Sequence, residues 1–222
     1  MERKKNKRKE FPFVELTATA MQETHEKVLN DKKYGKEFLL IKEILCKEEY
    51  KLNTDINIIA LKIALIDVTN STHISQHKKK ISLYALAEII QNIPNIDERI
   101  EKGDVSVVND IAKATATYPY QRNFFSFASK YCHYHSLFVY GHDYYPIYDT
   151  VVSKNLYRYE PHCKKGEPEK WRNSIRYDLY KEQIDKVLAN YKLIAPEKDA
   201  PYTEFDHFVW YPYRKDDGDN QE

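Results

Sequence analysis

The 222-residue chain balances 35 lysines and arginines against 34 aspartates and glutamates, for a formal net charge of +1, and 14% of its residues are aromatic. That length supports one substantial domain or two small lobes without staples, and the near-neutral charge excludes a global field that would by itself announce nucleic acid as the partner. Three widely spaced cysteines exclude a disulfide framework, and no run of eighteen apolar residues marks a membrane span or a secretory signal, so the expected setting is the cytosol.

The first stretch of note is "RKKNKRK", residues 3–9, with six positive charges in seven positions. Like-charge blocks of this kind stay solvated, so residues 1–11 read as a basic disordered arm and residues 214–222 as an acidic tail. Between them, 12–213 reads as a single helical domain. Apolar positions recur three and four apart, and sustained alternation of period two is absent. A first amphipathic segment spans about 13–29. A second spans about 37–50, with Phe38, Leu39, Ile41, Ile44 and Leu45 on one stripe.

"NTDINIIALKIALIDVTNST" then predicts a helix capped within Asn53 to Asp55, with one apolar row at Ile58, Leu61, Leu65 and Val68 and another at Ile56, Ile59, Ile63 and Ile66. Apolar over so much of its circumference, it should be central. "SLYALAEIIQNIPNIDERI" should stop near Asn92, because Pro94 cannot continue a helix. A shorter helix over 105–114 follows Gly103 and the cap Asp104. A helix over 124–138 carries Lys130, "VYGHDYYP" is a loop, and Pro146 with Asp149 opens another helix to about Tyr157. Residues 169–193 read as one long amphipathic helix, and "FDHFVWYP" as a last aromatic element. About seven to nine helices joined by short loops make an all-α, multi-helix globular domain.

Few glycines leave neither a Walker loop nor a dinucleotide fingerprint, and no cofactor is called for. Cys132, His133, His135, His142, His162 and Cys163 lie within thirty-two residues, yet their spacing matches no zinc pattern, so no metal is expected. The chemistry rests on Lys130. A lysine amine is a nucleophile only when unprotonated, and apolar walls favour that form. Phe127 and Tyr134 flank Lys130 at helical spacing, and Asp149 stands nineteen residues on at a helix start, where a carboxylate is held ionised. The same two residues read structurally as a snorkelling lysine and an ordinary helix cap.

Lys130 followed by "PIYDTVV" resembles the heart of the helix-hairpin-helix DNA glycosylase superfamily, in particular the 8-oxoguanine DNA glycosylase branch. "FASKYC" takes the place of that branch's lysine stretch, and Pro146, Asp149 and Val152 follow its second segment with one extra residue between proline and aspartate. The resemblance implies two helical lobes around a cleft, with Lys130 attacking the sugar and Asp149 stabilising the cationic transition state. It implies a DNA partner carrying a damaged or modified base, flipped into a pocket walled by Tyr134, Phe205, Phe208 and Trp210. Two features depart from the pattern: "YPYQRNFFSFAS" lacks the glycine hairpin that grips a phosphate, and Val151 stands where a histidine often follows the aspartate. Arg122 and Lys154 are the candidates for phosphate contact in its place. The alternative is a non-catalytic nucleic-acid- or protein-binding module on the same helical fold. The residues name no protein partner and no base.

Overall fold

The computed structural model describes residues 13–72, 74, 81–116, 123–193 and 200–213, so the basic arm, the acidic tail and Arg122 lie outside the described residues. The described regular structure is entirely helical. It consists of α1 (Ala18–Leu29), α2 (Tyr34–Leu45), α3 (Ile56–Thr69), α4 (Leu83–Gln91), α5 (Ile96–Glu101), α6 (Ser106–Ala116), α7 (Phe125–Val139), α8 (Thr150–Asn155), α9 (Glu167–Ser174), α10 (Tyr177–Asn190) and α11 (Pro201–Trp210), with three short 3-10 turns.

Local chemistry sets the starts. Thr17, Asp55, Ser82 and Asp149 each accept a backbone N–H from the first turn of α1, α3, α4 and α8. Asp104 does the same for α6 through Ser106 N at 2.9 Å. Helix α4 ends at Gln91, three residues before Pro94. A short helix, α5, fits between that proline and Gly103, entered through Asn95 in the left-handed region.

Two expectations need correction. The long helix over 169–193 is two helices, because Ile175 adopts φ 54° and its amide turns back to Arg172 O; α10 begins afresh at Tyr177. Together with the separate α5, this raises the helix number to eleven among the described residues. Helix α3 is not buried all round. Ile59, Ile63 and Ile66 are fully buried, whereas Leu61 is 46% and Val68 80% exposed, so one of its two apolar rows faces out.

Helix α7 is the centre, packing against α2, α3, α5 and α6, and residues 127–136 are all buried. Helices α3, α4 and α6 pack in succession on one side, and α1, α2 and α11 group on the other. Helix α11 leads on to α8, α9 and α10. One apolar core runs from Leu16 to Val209. Seven tyrosines belong to it. Tyr131, Tyr145, Tyr159, Tyr177 and Tyr180 are among the largest fully buried side chains. The hydroxyls of Tyr131, Tyr145, Tyr177 and Tyr180 find partners, as buried polar groups must.

Several of those partners hold the loop between α7 and α8. Tyr177 donates to Pro146 O and Tyr180 to Ile147 O, both at 2.7 Å. Tyr148 N donates to Ser129 Oγ at 2.9 Å, tying the loop back to α7 one residue before Lys130. Each such bond contributes about 1 kcal/mol, and together they fix where Asp149 stands relative to Lys130.

Candidate functional site

Lys130 projects from the middle of α7 and is 7% exposed. Its Nζ donates to Asn70 O, 3.2 Å away, in the turn after α3. Asp149 is the N-cap of α8 and accepts from Val151 N at 2.5 Å. No ion pair joins the two, but both line one cleft of about 510 Å3. The cleft opens where the end of α3, the start of α7, the start of α8 and the end of α9 converge, and Ser126, Thr150 and Arg172 complete much of its polar wall.

A second cavity of about 180 Å3 adjoins it, and Asn70 and Ser71 line both. This partition is held from two directions: Lys130 donates to the Asn70 carbonyl, and Tyr134 OH donates to Asn70 Oδ1 at 2.7 Å. Ser71 sits in the left-handed region at φ 48°. The smaller cavity is lined by the aromatic Phe38, Tyr134 and Trp210 and by the polar Glu37, Asp206 and His207. A dry cavity of about 150 Å3 is known to accept a benzene ring, so 180 Å3 suits one planar ring system.

Burial favours the neutral forms of Glu37, Asp206 and His207. Desolvation pushes the Asp206 carboxyl well above the usual carboxylate range; the nearby Asp149 adds to the rise and Lys130 opposes it. Its Oδ1 has no hydrogen-bond partner among the described residues. Burial, helped by His25 and His133, drags His207 down to about 3. His207 therefore pairs as a neutral ring with His25, Nδ1 to Nδ1 at 2.9 Å. Desolvation also raises Glu37.

Of the expected pocket wall, Tyr134 and Trp210 line this smaller cavity. Phe205 and Phe208 do not; each is 1% exposed and meets Tyr159 edge-on in the core. The reason is helical phase. Asp206 and Trp210, four apart, share the cavity face of α11, while Phe205 and Phe208, three apart, share the core face. Lys154 is exposed on α8 and is not among the residues lining the cleft. Among the described residues no group of three His, Cys, Asp or Glu side chains could hold a metal ion. His133 Nδ1 is 2.8 Å from Tyr145 O and His135 Nδ1 2.9 Å from Tyr131 O, which accounts for two of the histidines that the sequence clusters.

Sequence reasoning passed over three groups. Asp206 is the one acid inside "FDHFVW", and its role depends on tertiary burial. Arg172 was hidden inside the supposed long helix. Lys62, on α3, is fully buried and burial pulls it down to about 8, as a reactive lysine would need. Yet its Nζ donates to Lys51 O, Leu52 O and Asn53 Oδ1, at 3.1 to 3.3 Å. Three acceptors saturate a lysine, so Lys62 is a structural cation. Lys130 has one carbonyl partner and an open cleft beside it.

The fold and cleft thus define an all-helical protein with a buried amine and a carboxylate on one cavity wall. The chain belongs to the HI_0787_N family, described as an N-terminal domain, whose model matches residues 20–139. That span reaches from α1 through α7 and includes Lys130 but not Asp149. An uncharacterized protein of Haemophilus influenzae (strain ATCC 51907 / DSM 11121 / KW20 / Rd) is similar to it, 31% identical over 75 residues, which are 34% of each chain. The match spans about a third of the length of that curated relative. No solved structure matches the chain. Among the described residues, no helix is long and apolar enough to cross a membrane.

Proposed function

We propose that the protein is a DNA base-excision glycosylase with AP-lyase ability, acting in the cytoplasm on a damaged or modified base. The observation that carries this reading is the shared cleft of Lys130 and Asp149, adjoined by an aromatic cavity the size of one ring system. Lys130 Nζ, once it has given up a proton to solvent in the cleft, attacks the anomeric carbon of the target nucleotide. The glycosidic bond breaks, and the base leaves with the bonding electrons and takes up a proton. The bond from the anomeric carbon to the ring oxygen then breaks, the ring oxygen takes up the proton that nitrogen gives up, and the nitrogen lone pair forms the carbon–nitrogen double bond of the Schiff base. Loss of a proton from the neighbouring sugar carbon then expels the 3′ phosphate, and water releases the lysine. Asp149, held by the α8 amides, stabilises the positive charge that develops on the sugar.

The extruded base stacks in the smaller cavity against Tyr134 and Trp210, which support the reading as the two members of the expected wall that line it. Entry to that cavity from the cleft requires the Asn70–Ser71 turn to yield. Lys130 is then freed from the Asn70 carbonyl by the same movement that admits the base.

The test uses a duplex with a natural abasic site, which needs no knowledge of the base, together with a panel of modified bases. Borohydride should trap a covalent adduct with the wild type and none with Lys130→Gln, while Asp149→Asn slows base release by at least about a hundredfold. Binding of DNA without adduct or base release would instead favour the non-catalytic module on the same fold.

A further inference from the structure

The glycine hairpin that would grip a phosphate is missing from this chain, and of the two expected substitutes the one that is described, Lys154, is not among the residues lining the cleft. Arg122 lies outside the described residues and Lys154 is exposed on α8. Among the described residues that line the cleft, two carry positive charge, Lys130 and Arg172. We propose that Arg172 is the residue that holds a backbone phosphate of the bound strand at the cleft rim, opposite the attacking amine. This rests on the glycosylase reading of the same cleft and deepens it.

Three observations converge on Arg172. First, its backbone is fixed. The left-handed Ile175 stops α9 just after it, so its carbonyl accepts from Ile175 N at 3.2 Å; the same carbonyl also accepts from Asn123 Nδ2, in the segment that leads into α7. The residue is thus joined to the helix that carries Lys130. Second, its guanidinium is only lightly engaged. Nη2 lies 3.3 Å from Glu169 Oε1 and 3.1 Å from Asn173 Oδ1, Nε is 3.3 Å from Asn173 Oδ1, and Nη1 has no partner among the described residues. Glu169 is 64% exposed, and a solvated pair of that kind is worth little, so an incoming anion displaces it readily. Third, the wall around it supplies neutral donors, with Asn123, Ser126, Thr150 and Asn173 lining the same cleft. A guanidinium with free N–H groups among hydroxyls and carboxamides suits a phosphodiester, which takes two parallel hydrogen bonds from arginine.

The experiment measures binding of the full chain to a duplex carrying a tetrahydrofuran abasic analogue, across 50 to 200 mM salt, for the wild type, Arg172→Gln and Arg172→Lys. Borohydride trapping on a natural abasic duplex is run in parallel. Arg172→Gln should weaken binding about tenfold whatever the flanking sequence, and reduce the magnitude of the salt slope by about 1. Arg172→Lys should restore the slope and part of the affinity, which a packing role would not do. If Arg172→Gln keeps the wild-type affinity and slope while the wild type still traps, the assignment of Arg172 is overturned and the glycosylase reading stands. If the wild type forms no adduct on the abasic duplex, the reading of the cleft fails and this inference falls with it.

Discussion

Asp206 stands four residues before Trp210 on α11, and both side chains reach the smaller cavity. Desolvation, with Asp149 adding to it and Lys130 opposing, raises the Asp206 carboxyl and favours its protonated form, which offers an O–H where an ordinary aspartate would offer a charge. The linkage sign follows. The folded chain retains a proton that the unfolded chain releases near pH 4, so this residue's contribution to stability falls as pH rises from there towards the folded value. Asp206→Asn, which cannot ionise, should melt above the wild type at pH 8, by about 1.4 kcal/mol for each pH unit by which the folded value exceeds the unfolded one. The difference should shrink towards pH 4. Thermal melts of both proteins at the two pH values check it, and a pH-independent gap would contradict a buried neutral carboxyl. Lys130 and Asp149 could be singled out from their residue types and spacing; Asp206 could not, because its state is set by what packs over it.

Helix α3 shows where an apolar pattern stops being informative. Its two rows, Ile56–Ile59–Ile63–Ile66 and Ile58–Leu61–Leu65–Val68, are equally hydrophobic, so composition alone cannot say which faces the core. The neighbours decide. Helices α2, α4 and α7 cover the first row, and the second is left at the surface with Leu61 and Val68 open to solvent. Accordingly, Leu61→Lys and Val68→Lys should each change unfolding free energy by no more than about 0.5 kcal/mol, whereas Ile63→Ala and Ile66→Ala should each cost about 2–5 kcal/mol. Urea midpoints of the four variants separate the faces, and a large cost at Leu61 or Val68 would mean that this row is covered. The break between α9 and α10 was hidden for another reason. "NSIRYD" offers neither glycine nor proline, and a β-branched residue is the last expected to turn left-handed, at a cost of about 1–3 kcal/mol. Where the chain carries ordinary punctuation, as at Asp55, Pro94, Gly103 and Asp149, the helix ends are legible.

At the scale of the molecule, α7 is an axis on which distant parts of the sequence meet. A net charge of +1 leaves the field to local groups, so any attraction for DNA belongs to the cleft and to whatever the basic run of residues 3–9 adds. The general expectation of an all-helical domain held because helical periodicity is a local property. The joining of the α7–α8 loop to the chain's later helices was not legible, since it is made by side chains scores of residues away. The clearest case is Asp143. Its Oδ2 accepts from Tyr202 N at 2.8 Å and Thr203 N at 3.0 Å, capping α11 from the loop. Asp143→Ala leaves those amides unpaired and should cost about 2 kcal/mol, or about 4–8 °C in melting temperature. It should also slow borohydride trapping, although Lys130 itself is untouched. A variant that melts early yet traps at the wild-type rate would separate α11 from the cleft.

That cap bears on the order in which a growing chain assembles its cleft. Lys130 and Asp149 leave the ribosome nearly together, but the loop between them is pinned by Tyr177, Tyr180 and the first turn of α11. Until those later residues have emerged and docked, at about 5–20 residues per second, the nascent chain has an amine whose carboxylate partner has no fixed address.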